Sequence, residues 1–196
     1  LRYRIGVATY SVGVAYNNRK TSLQFIQQEM NNITALSNET CQLGIQSRNM
    51  VLYIAKKDSP QPIRLMSSVG KQLPLYCTGL GRALLAYKSE EEIRNLFPEV
   101  LTAYTPHTIA TINDLLKELE LTRQRGYAVE HEETNLMVNC IAVSLDYNNA
   151  PIAALSISIP TFRISESKEK EAVQILWEAK QRIETHFKMY GVDFGN

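Results

Sequence analysis

Val138-Asn139-Cys140-Ile141-Ala142-Val143-Ser144-Leu145-Asp146-Tyr147-Asn148-Asn149-Ala150-Pro151-Ile152-Ala153-Ala154-Leu155-Ser156-Ile157-Ser158-Ile159-Pro160 reads as two strands, near 138–146 and 151–159, folded back on each other. Asn148-Asn149 supplies the hairpin turn, because asparagine tolerates the left-handed backbone that a tight β-turn demands. Side chains alternate across a strand. Leu155, Ile157 and Ile159 therefore share one face, and Ala154, Ser156 and Ser158 the other. In the first strand Ile141, Val143 and Leu145 oppose Val138, Cys140, Ala142 and Ser144. One face is plainly core. The other is small and hydroxylated, where a solvent face would usually carry longer polar or charged residues. It suits either an ordinary exposed surface or the lining of a small polar cavity.

Outward from this hairpin, a third strand is expected at about 127–133. Before it, Thr111 to Arg125 has a helical apolar stripe (Ile112, Leu115, Leu116, Leu119), a Thr-x-x-Asp start and a Gly126 stop. After the hairpin, residues 166–190 form a long helix with Ala172, Ile175, Leu176, Ala179, Ile183 and Phe187 in its buried stripe. Near the other end, 3–16 and 20–37 read as helices, the second with Phe25, Ile26, Met30, Ile33 and Leu36 or Ser37 on one face. Strands follow near 41–46 and 50–56 around the turn Ser47-Arg48-Asn49, and Ile63 to Met66 is a further short strand candidate. Arg82 to Tyr87 is helical, Ser89-Glu90-Glu91-Glu92 is a capping box, and 98–110 is loop. Helices and strands come in blocks without βαβ alternation. This predicts an α+β domain with a mainly antiparallel sheet flanked by helices.

The chain has 196 residues, room for one domain with a real core. Its 21 basic and 20 acidic residues are scattered, which argues against a nucleic-acid-binding surface on this piece. No apolar run approaches the roughly 20 residues that span a bilayer, and no signal-peptide pattern opens the chain. Three widely spaced cysteines, Cys41, Cys77 and Cys140, fit a reducing cytoplasm and lack the spacing of a zinc site. No metal or cofactor is expected.

Thr78-Gly79-Leu80-Gly81 opens a helix. Thr78 is a good cap, and the two glycines leave the first helical turn bare, so its N–H groups could receive a carboxylate. The same glycines also permit close helix packing, which is the plainer local reading. Cys140 has no adjacent base with an orienting partner, although His131 lies on the preceding strand, so a lining or core role is favoured over catalysis. Glu130-His131-Glu132-Glu133 lacks metal-ligand spacing and reads as a solvated acidic run on a strand edge.

Four collinear segments carry a resemblance. They are Gly70 to Ala86, Arg123-Gln124-Arg125-Gly126-Tyr127-Ala128 followed by Glu132-Glu133, Asn139 to Val143, and Ala153 to Pro160. Together they resemble the effector-binding half of IclR-type transcription regulators, over essentially the whole chain. Tyr3-Arg4-Ile5-Gly6 looks like the end of that family's winged helix-turn-helix. The resemblance implies a linker helix over 1–18 and a GAF-like effector-binding domain over 19–196. It also implies a pocket for a small organic acid or sugar acid. The backbone of Gly79 and Leu80 would meet the carboxylate, Ser156 and Ser158 would add hydroxyls, and Cys140 and Glu130 would line the site. Met66, Leu73 and Val138 would form apolar walls. DNA would be held only through a preceding domain absent from this sequence, and the protein would be a cytoplasmic homodimer or homotetramer. There are departures: Met137 stands where the family usually has glycine, Ser144 replaces its usual proline, and the loop around Asp146 is one residue short. A GAF-like signalling sensor and a small hydrolase using Ser156 or Cys140 are the competing readings. No G-x-S-x-G elbow or base-plus-orienter set supports the hydrolase, so no enzymatic activity is expected.

Overall fold

The computed structural model describes residues 6–18, 21–62 and 68–192. In chain order these form α1 (Val7–Asn18), α2 (Thr21–Ser37), β1 (Thr40–Ser47), β2 (Met50–Lys57), β3 (Gln72–Pro74), α3 (Gly79–Leu85) and α4 (Glu90–Leu96). Then come α5 (Ile112–Arg125), β4 (Ala128–His131), β5 (Val138–Tyr147), β6 (Ala150–Pro160), a 3-10 turn (Thr161–Arg163) and α6 (Glu166–Tyr190). The six strands make one antiparallel sheet in the order β3-β2-β1-β6-β5-β4. The expected α+β domain is therefore present. The expected strand at 63–66, with Met66, and the segment Tyr3–Ile5 lie outside the described residues. β3 at Gln72–Pro74 is an edge strand that the alternation pattern does not signal, because three residues are too few to show a period.

The β5–β6 hairpin is the centre of the fold. Asn148 and Asn149 both adopt positive φ (51° and 62°), the conformation required of a two-residue turn with the twist of its strands. The in-register pairs Ile141↔Ile157 and Val143↔Leu155 put the apolar set on one face. There they meet Ile26, Met30 and Ile33 of α2 and Ala172, Leu176, Ala179, Ile183 and Phe187 of α6. Ser37, buried, closes the α2 stripe, while Leu36 is exposed.

The opposite face is covered by α3 and α5. Their Leu80, Ala83, Leu84, Ile112, Leu115 and Leu119 pack with Val51, Tyr53, Ala128, Ala142 and Ala154 of the sheet. Local signals set these helices. Thr78, Ser89, Thr111 and Ser165 each accept a backbone N–H at a helix start, Ser89 within a full capping box, and Gly126 ends α5 in the left-handed conformation. Gly81 answers a close approach: a Cβ there would lie 2.1 Å from the Leu75 carbonyl oxygen. The result is three layers: α2 and α6, the sheet, then α3 and α5. Among the described residues no helix is long and apolar enough to cross a membrane.

Candidate functional site

Beneath α3 the sheet carries a buried polar strip in place of an apolar one. Strand pairing aligns Glu130 with Cys140 and Cys140 with Ser158, and it aligns Ala142 with Ser156 and Ser156 with Gln42. Directly opposed residues in an antiparallel sheet point to the same face. Ser158 Oγ donates to Gln42 Oε1 (3.1 Å) and lies 3.1 Å from Cys140 Sγ. Cys140 stands directly across from Glu130 on β4. A polar row thus runs Gln42–Ser158–Cys140–Glu130. Ser156, 1% exposed, is left with no hydrogen-bond partner for its hydroxyl. A buried polar group without a partner is costly, about 1–3 kcal/mol, and such groups are rare.

The start of α3 sits directly over this strip. A Cβ on Gly79 would come 3.3 Å from Cys140 Cβ and 3.4 Å from Ala142 Cβ. Both glycines of the motif thus serve close approach, Gly79 to β5 and Gly81 to Leu75. Thr78 Oγ1 accepts from Gly81 N–H, and Arg82 N–H bonds Thr78 O. The side chain of Leu80 is core, its Cδ1 3.1 Å from where a Cβ on Gly44 would stand. Leu73 on β3 and Val138 at the start of β5 are half-buried.

Glu130 and Glu133 correct the sequence reading of a solvated acidic run. They are 1% and 4% exposed, while His131 between them faces outward. The β4 alternation turns Glu130 inward, and the turn after it carries Glu133 back under α3. Glu130 Oε1 accepts the N–H groups of Glu133 (2.5 Å) and Thr134 (3.3 Å). Burial nevertheless pushes its pKa up to about 7. Glu133 pairs with Arg82, which is buried on α3 and also donates to Tyr76 O (3.0 Å) and Val129 O (2.8 Å). The sequence reading gave no site role to Arg82, Glu133, Gln42 or Tyr53. Tyr53 shares the inner face, and burial raises its hydroxyl pKa with the charges of Cys140 and Glu130 nearby.

Cys140 is a poor nucleophile here. Burial and the neighbouring Glu130 raise its thiol well above the ordinary value, and His131 pairs with Asn139, one residue along on the other face. No group of His, Cys, Asp and Glu able to hold a metal occurs among the described residues. A cavity of about 330 Å³ lies beside the C-terminal end of α3, and one of about 340 Å³ lies between α2 and β2. None of the residues expected at the site lines either.

The sequence pattern of the bacterial transcriptional regulator IclR C-terminal family matches residues 15–185. The transcriptional regulator KdgR of Dickeya chrysanthemi is 34% identical over 184 residues, which cover 93% of this chain and 60% of KdgR. The chain thus spans less than two thirds of that relative. The crystal structure of Thermotoga maritima IclR superposes with a TM-score of 0.84 at 30% identity, over 94% of this chain and 76% of that one. An IclR homologue from Microbacterium hydrocarbonoxydans, solved in complex with 4-hydroxybenzoate, shares the fold with a TM-score of 0.80 at 22% identity, over 95% and 76% of the two chains. The layered α+β domain and these matches define the C-terminal domain of a bacterial transcription regulator. The chain belongs to the IclR family.

The raised pKa of Glu130 makes a stability prediction. The folded chain keeps a proton on Glu130 up to about pH 7, the unfolded chain only up to about its ordinary 4.5. Folding takes up a proton between those values, so the Glu130 contribution falls as pH rises from 4.5 through 7, by up to roughly 3 kcal/mol. Urea unfolding of Glu130→Gln and parent should show the variant gaining on the parent across this window. A constant difference from pH 5 to 8 would contradict the buried, proton-holding carboxyl.

Proposed function

We propose that this chain is the ligand-sensing and self-associating part of its regulator, and that a small hydroxy- or oxo-carboxylate, a sugar acid among them, binds between α3 and the Ser156/Ser158 strand. The observation that carries the reading is the buried, unpartnered Ser156 hydroxyl on a polar strip directly beneath the start of α3. A hydroxyl or carboxylate on a ligand would complete its bonding. The N–H groups of Gly79 and Leu80 would donate to the carboxylate, as charge-assisted bonds of about 1.5–3 kcal/mol each. Ser158, Cys140 and Glu130 would meet the ligand's polar body. Leu73 and Val138 would border it.

Glu130 gives the site a preference. Ionised, it would repel a carboxylate. With its pKa near 7 it carries a proton half the time at pH 7 and most of the time below it, and it can then face an acid without a charge clash and bond a ligand hydroxyl. A small-molecule complex exists in the fold, since the Microbacterium homologue was solved with 4-hydroxybenzoate, itself a hydroxy acid. The ligand would then modulate DNA binding by a helix-turn-helix domain preceding this chain, in the cytoplasm.

Self-association is supported by α1, whose Val7, Tyr10 and Val12 are 82%, 74% and 68% exposed. Apolar side chains at this exposure on a helix leading toward a DNA-binding domain suit pairing with the same helix of a second copy, as two-fold operators require.

Two experiments test these readings. Glycolate, pyruvate, lactate and gluconate are compared with acetate by thermal shift and calorimetry. A hydroxy or oxo acid should bind more tightly than acetate, and at ~100-fold its Kd should stabilise the fold by about 2.7 kcal/mol. Ser156→Ala combined with Ser158→Ala should weaken that binding roughly ten-fold. A double variant that binds as the parent does would place the ligand elsewhere. For assembly, light scattering of the 196-residue chain should show a dimer or tetramer at high micromolar concentration, and a monomer there would overturn self-association.

A further inference from the structure

A second feature of α3 stands apart from the serine strand. The cavity of about 330 Å³ at its C-terminal end falls in the size range of small-molecule sites. Ala83 and Ala86, Tyr87, Gly126 and Tyr127 form mostly apolar walls, and Arg123 of α5 closes one side.

Each wall is held in place. Arg123 Nε donates to Ala86 O (2.6 Å) and its Nη2 to Lys88 O (2.9 Å), so α5 is strapped to the end of α3 beside the cavity. Tyr87 Oη donates to Asp146 Oδ2 (2.6 Å) and accepts from Ser144 Oγ (3.1 Å). Lys180 fixes that Asp146 from α6 at 2.7 Å. Gly126 holds a left-handed φ of 76°, which strains any side chain, and a Cβ there would also press on the Trp177 indole at 2.8 Å. The slot is thus built from residues engaged elsewhere and is not a gap that neighbouring side chains could close.

Its chemistry is specific. Arg123 is the one charged group among its lining residues. Of the five guanidinium N–H groups, the bonds to Ala86, Lys88 and Glu120 use three. One N–H on Nη1 and one on Nη2 remain, and a guanidinium is the side chain best matched to a carboxylate. Its carboxylate neighbour Glu120 is more than half exposed, so that pairing is weak. Alanines and tyrosine rings offer a flat apolar body its contacts.

We infer that this cavity is a second ligand site, for a small planar carboxylic acid whose ring lies against Ala83, Ala86 and Tyr127 and whose carboxylate meets Arg123. The site is separate from the serine strand and does not depend on a ligand binding there.

Benzoate is the probe, and benzamide its uncharged shape match. Backbone amide NMR of the chain and the fluorescence of Trp177, its single tryptophan, report binding. Benzoate should give saturable shifts at Ala86, Gly126 and Tyr127 and a matching fluorescence change, with benzamide roughly ten-fold weaker. Ala86→Leu fills the slot and should abolish these shifts while benzoate-free melting stays near that of the parent. Should Ala86→Leu unfold, Tyr127→Ala, which removes a half-buried wall, should weaken binding several-fold. The inference is overturned if nothing saturates by about 20 mM, if saturable shifts fall only at Gly79, Cys140 and Ser158, if benzamide binds as well as benzoate, or if a folded variant binds as the parent does.

Discussion

The buried pairing of Arg82 with Glu133 is the constraint on which the rest of the inner layer depends. Arg82 is 2% exposed, yet its guanidinium reaches Glu133, Tyr76 O and Val129 O. Glu133 in turn accepts from Ile109 N–H (3.2 Å). These contacts tie α3, the β4 strand, the turn after it and the 98–110 loop into one unit. Removing one partner of such a pair costs about 3–5 kcal/mol, because the other charge is stranded in the interior. A charge pair is a weaker stabiliser than an apolar core of equal volume, but it dictates geometry. It holds α3 at one height over the sheet, so close that a Cβ at 81 would overlap Leu75 and one at 79 would press on Cys140 and Ala142.

From that placement the two faces of the sheet acquire different work. Toward α2 and α6 the strands present Ile, Val and Leu, an uninterrupted apolar face. Toward α3 they present Gln42, Glu130, Cys140, Ser156 and Ser158. Every one of these polar groups weakens the apolar core it displaces. The bonds of Ser158 to Gln42 and Cys140 limit that loss, and the orphaned hydroxyl of Ser156 does not recover it. A stability-optimised core would not keep such a strip, whereas a recognition surface requires one. The same helix has a cavity at its other end, so α3 has a polar strip beneath its start and a mostly apolar slot beside its end.

Much of this was legible in the sequence. Period-two alternation in 138–160 placed Ser156, Ser158 and Cys140 on one face. Thr78, Ser89 and Thr111 marked three helix starts, and Asn148-Asn149 marked the hairpin. What escaped detection escaped for physical reasons. Glu130 and Glu133 looked solvated because a run of four polar residues hides which of them the strand and its turn rotate inward. Arg82 sat in an Ala/Leu-rich helix as an ordinary polar residue, since its partner is 51 positions away. Gln42 and Tyr53 became site neighbours only through the pairing of β1 with β6 on one side and with β2 on the other, which a linear pattern does not encode. The two glycines were ambiguous between anion binding and close approach. The structure shows the close approach directly.

The central claim is that the N–H groups at the start of α3 and the serine strand face one ligand between them. The most direct measurement is a heteronuclear NMR titration of the chain with the tightest-binding hydroxy or oxo acid. The account predicts saturable shifts at the Gly79 and Leu80 amides, in step with those of Ser156 and Ser158. Saturation of the protein with these four amides unmoved would contradict it.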